Sequence, residues 1–278
     1  MSIRALDNQF NNKEEPKLLP SIPFTSYIVG AKKNGKTTLL INLLTNKNYL
    51  RNKFNEIYFI SPTSKLDEKT QILKKDEVLI GNKKLIKRLE KEIVENDEII
   101  DNELELYYNE IVDRPLYLEE KHYLEEIDID FLQDLIDEQK NVIEMFGKEY
   151  CDNILLVLDD SIESKIIKDR RFKSFLFKSR HYKISIFFLS QSYFSLPKAL
   201  RLNNSQLIIF ENGNKKEINM IYNENNNGLD WNTWFSLYEE ITSIPFNFMN
   251  INYDNTKKFR FINGLQEVIN TMAHKEVQ

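Results

Sequence analysis

The sequence predicts an α/β fold, a mainly parallel central sheet flanked by helices, and three observations carry that expectation. Five short apolar runs of strand length recur along the 278 residues, at 24–29, 57–60, 153–160, 184–189 and 207–210. Continuous apolar runs are the mark of strands buried on both faces. Between them lie stretches with helical spacing of Leu, Ile and Phe. Finally, Gly30-Ala31-Lys32-Lys33-Asn34-Gly35-Lys36-Thr37 fits G-x-x-x-x-G-K-[ST], placed between the first strand and a helix carrying Leu39, Leu40, Leu43 and Leu44. Strand, loop and helix in that order define a phosphate-binding loop.

The loop's chemistry follows from its residues. A triphosphate needs backbone N–H groups and the positive end of a helix dipole around it. Gly30 is expected to turn the chain out of the strand, and Gly35 to let the backbone approach the phosphates. The cradle runs through Ala31, Lys32, Lys33 and Asn34 to Thr38. Lys36 is expected to reach the β- and γ-phosphates, and the Thr37 hydroxyl to join a magnesium shell. The expected ligands are therefore ATP and Mg2+.

Further strands and helices follow in turn. Residues 57–60 end in Ser61-Pro62-Thr63, a turn signal. Sixteen acidic and four basic residues lie between Arg88 and Asp130, so the remainder carries a net +7 although the whole chain is at −5. The region at about 82–127 is expected to be an acidic helical insertion, either a plain solvated face or a docking element. Leu132, Leu135, Ile136, Val142, Ile143 and Phe146 mark a core-facing helix closed by Gly147. Trp231, Trp234, Phe235 and Tyr238 mark another, and residues 246–249 and 258–261 around Asp254-Asn255 read as a C-terminal β-hairpin. The aromatics there serve either core packing or base stacking.

The domain organisation read from this pattern is a flexible N-terminal segment at 1–20 and a P-loop ATPase domain at 21–278 that contains the insertion. One cysteine, Cys151, excludes an intramolecular disulfide and a cysteine-rich metal site, so a reducing compartment fits. Residues 1–20 lack the apolar core of a signal peptide, and no run approaches the ~20 apolar residues that span a bilayer.

Hydrolysis needs a carboxylate for the metal shell and a second group for the attacking water. Asp159-Asp160, ending the third strand run, supplies both, with Asp159 assigned to the metal and Asp160 to the water. Aspartates after a strand also cap helices, which is the alternative. Gln191, after Ser190 at the end of the fourth run, offers an amide to sense the γ-phosphate. Between these runs Lys165, Lys168, Arg170, Arg171, Lys173, Lys178, Arg180 and Lys183 face a single acid, Asp169. That segment suits DNA, a neighbouring subunit's nucleotide, or bulk water.

Taken together, residues 24–30 with the loop, Ile60-Ser61-Pro62-Thr63, residues 156–161, and residues 180–185 running on to Ser190-Gln191 resemble a known family. They are similar to the genome-packaging ATPases of large double-stranded DNA viruses and virophages, the poxvirus-type members of the FtsK–HerA superfamily. The resemblance covers roughly residues 20–212. It implies an additional strand between the loop strand and the Asp159 strand, a place that residues 184–189 would take. It implies ATP hydrolysis driving double-stranded DNA into a preformed capsid, and a homo-oligomeric ring, pentamer or hexamer. Capsid or portal-vertex proteins are the implied partners, and the virion or the host cytoplasm, in a viral factory, the implied location. An arginine supplied in trans is implied as well. Arg180 matches the family position, and Arg201 is the second candidate. The chain departs from the family in having Asp160 where many members have glutamate, and in its acidic insertion. A small-molecule kinase and a non-hydrolysing nucleotide-binding virion component are the alternative functions.

Overall fold

The computed structural model describes residues 15–63, 73, 81, 83–95, 109, 118–160, 166 and 169–271. Residues 1–14 of the N-terminal segment, 96–108 and 110–117 of the acidic insertion, and Ser161, Lys165 and Lys168 lie outside the described residues.

The apolar runs form strands where their side chains can be buried on both faces. They are β1 (Thr25–Val29), β2 (Glu56–Ile60), β4 (Ile154–Asp159), β5 (Ile184–Ser190) and β6 (Gln206–Phe210), joined by β3 (Tyr123–Leu124). The three that follow are β7 (Phe248–Asn252), β8 (Phe261–Asn263) and β9 (Glu267–Val268). Among the described residues these make one sheet in the order β3-β2-β4-β5-β1-β6-β7-β8-β9. The first six strands of that order run parallel, and the last three are antiparallel. β5 lies between β4 and β1, as the family resemblance implied.

Strand alternation divides the core into two layers. Tyr27, Val29, Leu156, Leu158, Ile186 and Phe188 point to one face. There they meet α3 (Ile129–Phe146), α4 (Arg170–Lys178), α6 (Lys215–Asn225) and α7 (Trp231–Thr242). Ile28, Leu155, Val157, Phe187 and Ile208 point to the other, against the buried Leu39, Leu40, Leu43 and Leu44 of α1 (Lys36–Thr45). α5 (Lys198–Arg201) is a single turn between β5 and β6.

Local details follow the chemistry of the ends. Asp128 caps α3 by accepting from the backbone N–H of Asp130 and Phe131, and Gly147 closes it at φ 101°. Within the acidic region, α2 (Lys83–Glu95) is helical as expected. Its far end contributes β3, which pairs with Phe59 and Ile60 and covers an edge that β2 would otherwise expose. Two residues are too few to show a period, so the sequence reading did not include this strand. The expected C-terminal hairpin is present with shifted limits: residues 257–259 form a 3₁₀ turn ahead of β8. Its aromatic neighbours chiefly build the core, Trp234 being fully buried in α7.

Residues 15–21 run across this hairpin. The Lys17 backbone N–H donates to Asn255 Oδ1 at 2.9 Å, and the Ser21 N–H to Asp254 Oδ2 at 2.7 Å. Asn252 and Asn250 donate their amides to the carbonyls of Lys17 and Leu18, at 2.9 and 3.0 Å. Among the described residues no helix is long and apolar enough to cross a membrane.

Candidate active site

Parallel pairing brings three strand ends level. Val29 is in register with Ser190, and Asp159 with Leu189, so Gly30, Asp160 and Gln191 leave the sheet side by side. Ligand sites in parallel sheets form at this carboxyl edge.

Gly30 is held by its backbone N–H, which donates to the Ser190 carbonyl at 3.2 Å. A Cβ on Gly30 would stand 2.7 Å from Cβ of Phe210. Its glycine character is thus required by close packing against β6, a correction to the turn role expected from sequence. Gly35 does need a glycine backbone, at φ 98°, and Lys33 also sits at positive φ, 72°. Gly35 leads into α1 without a side-chain cap, and the first turn of α1 has no acidic residue. Backbone N–H groups at the start of such a helix, with the positive end of its dipole, favour an anion. Asn34 braces the loop by donating its amide to the Glu211 carbonyl at 2.8 Å.

Lys36 is buried, and its Nζ donates to the carbonyls of Gly30 at 2.7 Å and Ala31 at 3.1 Å. The lysine is folded back on its own loop. Burial lowers its pKa, and the charges of Asp160 and Asp159 oppose that shift. Lys36 and the two carboxylates are therefore close enough to influence one another electrostatically. Thr37 is half-buried next to Lys36, and Ala31, Lys32, Lys33 and Thr38 are exposed along the rim.

Asp159 is the last residue of β4. Asp160 donates its N–H to the Leu189 carbonyl at 3.2 Å and adopts φ 49°. In that left-handed conformation its carboxylate accepts from Gln191 Nε2 at 3.0 Å. Asp160 and Gln191 are thus joined by a direct hydrogen bond between two exposed side chains, a contact the sequence reading did not include. Further along, Asp169 caps α4 by accepting from the backbone N–H of Arg171.

Behind Gln191 stands a polar network that the sequence reading missed. Ser192 donates its hydroxyl to buried Glu217 on α6, whose other oxygen accepts from Asn212 at 2.6 Å. Tyr27 donates to the Ser192 carbonyl at 2.6 Å, and Tyr193 to Glu224 at 2.9 Å. These contacts tie the turn after β5 to α6. No spacing rule joins residues 192 and 217; an acid in the first turn of a helix was the sole hint.

The two candidate arginines have opposite surroundings. Arg180 is exposed, with Nη1 donating to Ser205 Oγ at 3.3 Å. It precedes β5 and lines a small hollow with Thr25 and Phe177 at the amino ends of the strands, the edge opposite the phosphate loop. Arg201 is buried. Its Nε and Nη2 grip both oxygens of Glu224 at 3.0 and 2.7 Å, Nη1 donates to the Leu196 carbonyl at 2.6 Å, and the guanidinium lies over Tyr193. That side chain is committed to holding α5 on α6 and is not presented to a neighbour. In the basic segment, Arg171 pairs with Asp130 at 3.3 Å, and Lys183 donates to the Cys151 carbonyl at 3.3 Å. Cys151 is itself buried, which raises its pKa and leaves a thiol poorly suited to reactivity.

This combination, a glycine loop entering a helix, a strand inserted between the loop strand and an acid-tipped strand, and a polar residue on the inserted strand's tip, defines the P-loop NTPase fold. A family model described as Poxvirus A32 protein matches residues 116–229. That span holds Asp159, Asp160, Arg180, Gln191 and Arg201 but not the phosphate loop, and it bears out the poxvirus-type resemblance read from the residues. No curated protein matches the chain. Among solved structures, the genome-packaging NTPase B204 from Sulfolobus turreted icosahedral virus 2, in complex with sulfate, is 13% identical and covers 84% of this chain and 93% of that one, with a TM-score of 0.48. B204, described as the DNA-packaging ATPase from Sulfolobus turreted icosahedral virus, is 14% identical over 84% and 95%, also at 0.48. EssC (ATPases 2 and 3) from Geobacillus thermodenitrificans is 12% identical over 90% and 42%, at 0.41.

Proposed function

We propose that this chain is a viral genome-packaging ATPase that couples ATP hydrolysis to movement of double-stranded DNA into a preformed capsid. The observation that carries the reading is the convergence of Lys36, Asp159, Asp160 and Gln191 at one sheet edge, with the last three inside the family match and the loop independently outside it.

In this reading the phosphates lie over the loop and the start of α1, and Lys36 turns from its own carbonyls to the β- and γ-phosphate oxygens. Thr37 and Asp159, a hydroxyl and a carboxylate, are hard oxygen donors of the kind magnesium takes alongside phosphates and water, and the ion when bound supplies charge neutralisation there. Asp160 orients the attacking water and accepts its proton as the water oxygen bonds to the γ-phosphorus and the bond to the β-phosphate oxygen breaks. Loss of the γ-phosphate changes what Gln191 can bond to, and its network through Ser192 and Glu217 carries that change to α6.

Arg180 is the better candidate for the trans arginine. It is exposed, and a seven-residue β5 separates it from Gln191 by about 20 Å. A guanidinium at that distance serves a neighbour's nucleotide rather than its own. A ring of this chain, with double-stranded DNA and capsid or portal-vertex proteins as partners in the virion or the cytoplasmic factory, follows from the same reading.

The test is ATP hydrolysis with and without double-stranded DNA, measured alongside oligomeric mass. DNA-stimulated turnover confined to the assembled form is expected. Absence of stimulation in every oligomeric state would remove the motor reading.

A further inference from the structure

A groove of about 670 Å³ opens beside the phosphate loop, and the residues assigned so far leave it unused. Leu39 and Asn42 of α1 and Asn46 at its C-cap form one wall; Phe246 ahead of β7, Asn263 at the end of β8 and Gln266 in the turn after it form the other. Among the described residues that line it, none carries a charge. The adjoining loop is the opposite, with Lys32, Lys33 and Lys36 within five positions.

Phe246 is the most unusual residue of this wall. It is 73% exposed and sits at φ 64°. A bulky side chain in the left-handed region is strained, and such strain persists where the surroundings enforce it. They do here. Asn247 donates its amide to the Ile241 carbonyl at 3.0 Å and to Asn263 Oδ1 at 2.7 Å. Its own Oδ1 lies 2.7 Å from the place a Cβ on Gly264 would take, and Gly264 is at φ 58°. The Phe246 ring is thereby held 3.4 Å from the Cβ position of Gly35, in contact with the phosphate loop and with its remaining surface in solvent.

We propose that this groove receives the base and ribose of the nucleoside triphosphate, with Phe246 as the surface on which the base stacks. The inference rests on the phosphate-loop reading, because the loop fixes where the triphosphate ends. From that point the nucleoside must continue along a neighbouring surface, and Phe246, which lines this groove, lies against Gly35. Its volume falls within the usual range of small-ligand sites. An uncharged lining of amides and an aromatic ring suits a neutral base and a sugar, whereas it would be a poor place for phosphates. Exposed aromatic faces stack nucleobases with little dependence on their identity.

The test compares binding of ATP with binding of inorganic tripolyphosphate, which has the charges but no nucleoside. In the full chain, Phe246→Ala is expected to weaken ATP on the order of tenfold and to leave tripolyphosphate unchanged, while Phe246→Tyr keeps ATP binding. Lys36→Ala is expected to weaken both ligands. If Phe246→Ala leaves ATP binding intact, or weakens both ligands equally, the groove is not the nucleoside subsite. If the wild-type protein binds neither ligand, or Lys36→Ala binds both normally, the phosphate-loop reading fails, and this inference with it.

Discussion

The carboxyl and amino edges of the parallel strands differ in how their polar groups are arranged. At the carboxyl edge Lys36, Asp160 and Gln191 lie within one another's electrostatic or hydrogen-bonding reach. At the amino edge Arg180 stands apart, exposed beside Phe177, which is itself 48% exposed. One edge has the makings of a reaction centre; the other has a cation and apolar surface without a local substrate. The difference teaches that exposure, and not residue type, separates the two arginines, since Arg201 lies only 21 positions from Arg180 and is locked to Glu224.

The sharpest way to break this comparison is to remove each arginine in turn. Arg180→Ala should lower ATP turnover of the assembled protein by about a thousandfold or more, with a thermal midpoint close to wild type. Mixing that variant with Asp160→Asn subunits should restore part of the rate if the arginine acts on a neighbour. Unchanged turnover by Arg180→Ala would erase the contrast between the edges. Arg201→Ala should do the reverse: leaving Glu224 buried without its partner costs about 3 kcal/mol of stability, read as a lower denaturant midpoint. A normal midpoint would show that the pair does not hold α5 to α6.

A smaller effect is expected where the carboxyl edge is braced from behind. Gly30→Ala forces a methyl group to within 2.7 Å of Phe210 Cβ and should cost about 2 kcal/mol, with nucleotide affinity falling as the loop shifts. Equal affinity would mean that β6 yields more easily than its packing suggests.

The smallest effect concerns pH. Burial alone would raise the pKa of Glu224, but hydrogen bonds from Arg201 and Tyr193 and the charge of Arg201 hold it below its ordinary value of 4.5. A carboxyl depressed in the folded state adds stability that is complete above pH 4.5 and fades as pH falls through the folded pKa. Unfolding free energy between pH 5 and 3 should therefore decline less steeply in Glu224→Gln than in wild type, and identical slopes would remove the assignment.

Much of the site was legible because its chemistry is written in contiguous residues. The loop at 30–37 and the acid pair at 159–160 follow apolar runs, and such runs identify both a buried strand and its polar tip. The five parallel strands were readable for the same reason, whereas β3 and β9, two residues each, have no period to detect. Partnerships across the chain were not readable. Nothing local distinguishes Arg201, buried by a glutamate 23 positions on, from Arg180. Nor does composition separate Trp234, enclosed in the core, from Phe246, held in solvent beside Gly35. That distinction depends on Asn247 and Gly264, whose geometry arises only when β7 and β8 pair.

The strand order has a consequence for how the protein is born. Both neighbours of β1 come from far along the chain, β5 beginning at residue 184 and β6 at residue 206. A ribosome therefore releases the phosphate-loop sequence early, yet the Ser190 carbonyl and the Phe210 ring that shape the loop emerge more than 150 residues later. Such distant pairing makes for slow closure. Nucleotide capture should begin only once most of the chain has been synthesised, and a nascent fragment ending before β5 would carry the motif without its receptor.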